Sequence, residues 1–154
     1  MKILVATDGS KASESVIEAS CRIITHPENT EVKIISVVEP ITPMMAEPFA
    51  ISGTYYAEIE AASTQEAKTF VEQAAESLRE TCPDLKDFST EILHGRAAPT
   101  IVEAARSWSA DLIVVGSHGF GFWSRALLGS VSNAVVHHAP CSVLIVREKD
   151  KAGI

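Results

Sequence analysis

Two short segments carry the residue types that phosphate chemistry needs. The first runs from Gly116 to Ser132 and holds Gly116, Gly119 and Gly129, with hydroxyls at Ser117, Ser130 and Ser132. The second is Ala6-Thr7-Asp8-Gly9-Ser10, near the start of the chain. Glycine lets backbone approach an anion closely, and a helix that follows offers unpaired N–H groups at the positive end of its dipole. The N–H groups of Ser130, Val131 and Ser132 would then cradle phosphate oxygens, with the serine hydroxyls as further donors. Asp8 cannot usefully face a polyphosphate; a ribose hydroxyl or a metal-bound water suits its charge. A second reading of the same residues stands beside this one: Ser130 and Ser132 cap a helix, and Gly129 permits a turn.

Two familiar glycine patterns are absent from this sequence. No Gly-x-x-x-x-Gly-Lys-Ser/Thr occurs, so no lysine of that motif reaches the phosphates, and no Gly-x-Gly-x-x-Gly follows the first strand.

These segments need elements to position them, and strand and helix signals alternate along the whole chain. Apolar runs at Ile3–Ala6, Val32–Val38, Leu112–Val115 and Ser142–Val146 read as strands. Phe88–Leu93 is a fifth, and its Ser89, Thr90 and Glu91 suit an edge position. Helical spacing links Val16, Ile17, Cys21, Ile23 and Ile24, and then Ile59, Ala62, Ala67, Phe70, Val71, Ala74 and Leu78, with Pro83 beyond the end. A third helix begins near Ala98 with Pro99 in its first turn, and Ile101, Val102, Ala105 and Trp108 form its stripe. The fourth covers Val131 to His138 before Pro140. Strands alternating with helices imply right-handed βαβ crossovers, hence an open, doubly wound, five-stranded parallel sheet of Rossmann-like α/β class with helices on both faces. The expected strand order is 3-2-1-4-5. With strand one as the reversal point and strand four beside it, the two polar segments flank one crevice at the carboxyl ends of the strands.

The segment Glu39 to Tyr56 breaks this rhythm with Pro40, Pro43 and Pro48, and is long for a βα connection. A lid, a partner surface and a plain irregular loop are all open readings of it. Cys21, Cys82 and Cys141 are odd in number and form no CxxC pair, so they read as buried small hydrophobes rather than a zinc or redox motif. His137-His138 diverge by about 100° on a helix and make a poor shared metal site. Glu58, Glu60 and Glu66 read as a solvated helix face.

At 154 residues the chain is the size of one domain, here expected to span 1–154. Its net charge of −7 argues against a nucleic-acid partner and against a polybasic membrane contact. No apolar stretch approaches the roughly 20 residues of a spanning helix. The apolar start at Met1–Ala6 is cut short by Thr7-Asp8-Gly9, so a secretory leader is not expected and the cytoplasm is.

The chain resembles the universal stress protein family, and its ATP-binding branch in particular. The opening Ile3–Ser10 is similar to that family's first strand and turn. Gly116, Gly119, Gly129 and Ser130, with nine residues from Phe120 to Leu128, match its signature: Gly, two residues, Gly, nine residues, Gly, then Ser or Thr. The closing Ala139–Val146 looks like its last strand. The resemblance implies that Ala6, Thr7 and Asp8 line the adenosine part of a site, with Val37 meeting adenine through backbone groups. It implies that Gly116, His118 and Gly119 contact ribose and phosphate, and that Gly129, Ser130, Val131 and Ser132 hold the triphosphate. The implied ligand is ATP, or ADP or AMP, with Mg²⁺ or Mn²⁺ held mainly by phosphates and water. It also implies a homodimer through the edge strand Ser142–Val146 and a nucleotide-dependent role in stress response. No catalytic residue is evident, since no base is oriented and no lysine serves the transferring phosphoryl group. A slow ATPase or self-phosphorylating enzyme, and a nucleotide-independent interaction module, are the competing functions.

Overall fold

The computed structural model describes residues 1–10, 12–40, 53–117 and 128–147. Five strands, β1 (Lys2–Ala6), β2 (Glu31–Val38), β3 (Phe88–His94), β4 (Leu112–Gly116) and β5 (Ser142–Val146), form one parallel sheet in the order β3-β2-β1-β4-β5. The helices are α1 (Ala12–Ile23), α2 (Gly53–Thr81), α3 (Ala97–Trp108) and α4 (Ser130–His138). The fold class and strand order expected from the alternation are those observed. A short 3₁₀ turn at Pro27–Asn29, not anticipated, leads into β2.

The alternation of side chains along each strand sorts the core into two layers. Ile3, Val5, Val32, Ile34 and Val114 face one side, where they pack with Val16 and Ile17 of α1 and with Val71, Ala74, Ala75 and Leu78 of α2. Leu4, Ile35, Ile113 and Val115 face the other, against Ile101, Val102 and Ala105 of α3 and Val135 of α4. Both faces of the central strands are covered, which is why β1 and β4 read as continuous apolar runs and β2 is broken only by Lys33 and Ser36. β3 lies at an edge, and its Ser89, Thr90 and Glu91 are exposed.

Two readings are corrected by this packing. The irregular segment after β2 ends sooner than Tyr56, because α2 already starts at Gly53; past Pro48 no proline remains to stop it. The rest of that segment, 41–52, lies outside the described residues. The buried stripe of α2 starts at Ala67, whereas Ala62 is exposed; Glu58, Glu60 and Glu66 are exposed as expected.

The cysteines are the second correction. Cys21, in α1, and Cys82, just past α2, are joined in a disulfide with their Cα atoms 5.8 Å apart. They are not separate small hydrophobes. The two helices end side by side on one face of the sheet, and that juxtaposition spans a sequence separation of 61, beyond the reach of any local pattern. Cys141 is free and half-buried, and burial, then the nearby Asp111 charge, push its thiol pKa up.

Candidate nucleotide-binding site

β1 and β4 are neighbours whose following helices lie on opposite faces of the sheet, so a crevice opens between them at their carboxyl ends. It holds a cavity of about 320 Å³.

One lip is the turn from β1 into α1. Thr7 continues the ladder, its N–H donating to Ile35 O at 2.9 Å, and is only 7% exposed. Its hydroxyl donates to Ser13 Oγ at 2.8 Å and accepts the Gly9 N–H at 3.3 Å. Asp8 is exposed, and its Oδ1 accepts the Ser10 N–H at 3.0 Å, closing an Asx turn. Gly9 sits at φ +73°, a conformation that side chains disfavour, and a Cβ there would fall inside the ring of Phe70 on α2. Only glycine fits under that ring.

The other lip is the start of α4. The Gly129 N–H donates to Ser117 O at 2.8 Å, and the Gly129 carbonyl accepts from Asn133 N at 2.9 Å, the first bond of the helix. The Ser132 hydroxyl donates to Gly116 O at 2.8 Å, with a longer contact to Ser117 O at 3.3 Å. Ser132 is 4% exposed, so its hydroxyl latches the helix to the end of β4 and its single proton is engaged there. The N–H groups of Ser130, Val131 and Ser132 occupy the first turn, where no intrahelical acceptor exists.

A third wall comes from β2 and α3. Val37 and Ile35 line it with Ala97 and Ile101. Arg96 precedes α3 without a side-chain cap, and the Ala97 N–H instead donates to Glu39 Oε1, just past β2, at 2.8 Å. Glu39 thereby fastens the start of α3 to the end of β2. The cavity is therefore apolar toward β2 and α3 and polar toward α1 and α4.

Of the residues singled out in the sequence, the cavity brings together Ala6, Thr7, Asp8, Val37, Gly116, Gly129, Ser130, Val131 and Ser132. His118 and Gly119 lie outside the described residues. Ser13, Ala97 and Ile101 also line the cavity and were missed. Ser13 had a local signal, as a hydroxyl one turn past Asp8, but Ala97 and Ile101 arrive only through the packing of α3. Asp8 is the sole carboxylate among the described lining residues, which include no Lys, Arg or His. No group of three potential metal ligands occurs among the described residues.

The model of the universal stress protein family matches residues 1–147. The chain belongs to that family. A universal stress protein of Methanocaldococcus jannaschii is 33% identical over 97% of this chain and 84% of its own length. The solved universal stress protein UspA from Lactobacillus plantarum superposes with a TM-score of 0.77 at 27% identity, covering 96% of this chain and 97% of the other. Among solved proteins sharing this fold, one universal stress protein is in complex with cAMP, one from Archaeoglobus fulgidus with dAMP, and one from Arabidopsis thaliana has AMP bound.

Proposed function

We propose that this chain is an ATP-binding member of its family, a nucleotide-dependent regulator or sensor in stress response. The observation that carries the reading is the convergence of Thr7-Asp8 and Gly129–Ser132 on opposite lips of one cavity at the reversal point of the sheet. Adenine would sit at the apolar end beside Val37, Ile35 and Ile101, with the Val37 backbone meeting its polar edge. Asp8 has one carboxylate oxygen committed to Ser10 and another to offer a ribose hydroxyl. Phosphates fall to the first-turn N–H groups of α4, because the described lining supplies no cationic side chain. Gly116, His118 and Gly119 would complete the ribose and phosphate contacts. The adenine nucleotides bound by several relatives support the same ligand class.

A lone carboxylate among hydroxyls and amides does not make a protein cage for a divalent ion. It suits Mg²⁺ or Mn²⁺ that arrives on the phosphates and keeps its water. When bound, such an ion would neutralise phosphate charge. What the chain itself does is bind and orient. The Ser132 hydroxyl, engaged with Gly116, braces the cradle rather than attacking a phosphate.

The protomer is expected to dimerise through β5. This strand is the second sheet edge, and Val131 and Val136 of the neighbouring α4 are 36% and 43% exposed. Pairing would cover that edge. The cytoplasm is the expected compartment, and among the described residues no helix is long and apolar enough to cross a membrane.

Equilibrium binding of labelled ATP to nucleotide-stripped protein tests the proposal. Saturable binding that collapses in Gly129→Leu is the expected result, with ATP recovered intact after prolonged incubation. No binding by the stripped wild-type chain overturns it.

A further inference from the structure

We propose that Cys21 and Cys82 form a reversible redox site, which exchanges with low-molecular-weight thiols and disulfides and clasps the helix pair that backs the cleft. The two residues lie at the carboxyl ends of α1 and α2, and each is half-buried, so a small thiol can reach the bond without the fold opening. α1 reaches the cleft at its other end, and α2 meets the turn beside it from the middle of its length. Ala12, Ser13 and Val16 of α1 line the cavity, and Phe70 of α2 lies over Gly9 in the turn that carries Thr7 and Asp8. Between clasp and cleft the helices pack through Val16, Ile17, Val71, Ala74, Ala75 and Leu78.

That apolar seam holds the helices together without the bond, so the dithiol form stays folded and its sulfurs stay close enough to rejoin. This combination distinguishes a reversible site from a staple on which folding depends. Reduction proceeds by two exchanges. A thiolate of the small molecule attacks one protein sulfur, breaking the S–S bond, and the departing cysteine sulfur takes a proton. A second thiolate then attacks the small molecule's sulfur in the mixed disulfide and releases the other cysteine, which is also protonated. Two small thiols are oxidised to one small disulfide, and one protein disulfide is reduced to two thiols. Oxidation by a small disulfide runs the same steps backward. With the bond closed, α1 and α2 move as one body and Gly9 is held under Phe70; with it open, the pair is tied by packing alone.

The test uses the full chain with Cys141→Ser, so that the remaining thiols belong to the pair. Glutathione buffers of graded ratio, followed by alkylation and mass analysis, should show Cys21 and Cys82 changing together in one reversible two-electron step. Hydrogen exchange, run without nucleotide, should show amides of 7–10, 12–16 and 70–80 exchanging about tenfold faster in the reduced form, while those of α3 hold steady. Three results overturn the proposal: a bond that stays closed throughout glutathione buffers, thiols that do not re-pair on reoxidation, or exchange unchanged in the cleft segments. Cys21→Ser/Cys82→Ser should reproduce the reduced exchange pattern in both buffers, and a pattern still shifting with redox state in that variant also overturns it. None of these readouts depends on ATP, so the clasp and the nucleotide site succeed or fail separately.

Discussion

The two lips of the cleft are secured by different means. Around Thr7–Ser10, side chains close the loop on itself, Thr7 on Ser13, Gly9 on Thr7 and Ser10 on Asp8, with Gly9 beneath an aromatic ring. Around Gly129–Ser132 a single side chain, Ser132, locks α4 to the end of β4, while the first-turn amides have no intrahelical acceptor. The first lip is shaped by buried packing behind it and presents a carboxylate. The second is braced by one hydroxyl and presents backbone donors. An adenine nucleotide needs both, since its sugar is a hydrogen-bond donor and its phosphates are acceptors only.

The contrast breaks first where the first lip depends on distant residues. Cys21→Ser/Cys82→Ser should lower unfolding free energy by about 4 kcal/mol, the loop-closure value for a cross-link of this separation. Urea denaturation of the oxidised wild type against the variant measures it. Gly9→Ala should cost roughly 2–4 kcal/mol, from a positive φ and collision with Phe70. Pairing it with Phe70→Leu in a double-mutant cycle should recover the collision but not the backbone strain. Neither change touches the α4 lip, so both leave the packing of α3 and α4 as it was.

Smaller effects are expected where single hydrogen bonds act. Ser132→Ala should cost about 1 kcal/mol, because the half-buried Gly116 carbonyl loses its donor. It should also weaken ATP binding more than adenosine binding, a difference that calorimetry can read. Glu39→Ala should cost about 1 kcal/mol through the uncapped Ala97 amide, with Glu39→Gln closer to wild type. The mildest effect concerns Cys141. Its raised pKa keeps the thiol protonated at neutral pH, so alkylation should lag a free cysteine there and catch up only as pH rises through that pKa.

How far the sequence reached differs between fold and site. The five strands were legible because a sheet buried on both faces leaves continuous apolar runs, and edge strand β3 betrayed itself by Ser89, Thr90 and Glu91. The start of α2 was misplaced because Gly53 looks like loop and initiates helix. In the site, the residues of the two polar turns were visible as local patterns of glycine, hydroxyl and carboxylate. Ala97 and Ile101 were invisible, being ordinary apolar residues that reach the cavity only because α3 crosses beneath β2. The engaged state of the Ser132 hydroxyl was equally hidden, since a serine in a first turn reads the same whether it caps, latches or meets a phosphate.

By itself, then, the order of residues determined what is periodic or contiguous: the alternation of strands and helices, the doubly wound class, and the glycine spacing that marks the family. Those signals are local, because a strand or a helix repeats over a few residues. The tertiary structure alone decided which distant groups meet. It set Phe70 over Gly9, Glu39 on Ala97, and Cys21 against Cys82, contacts fixed by how whole helices pack on the two faces of the sheet rather than by any neighbour in the chain.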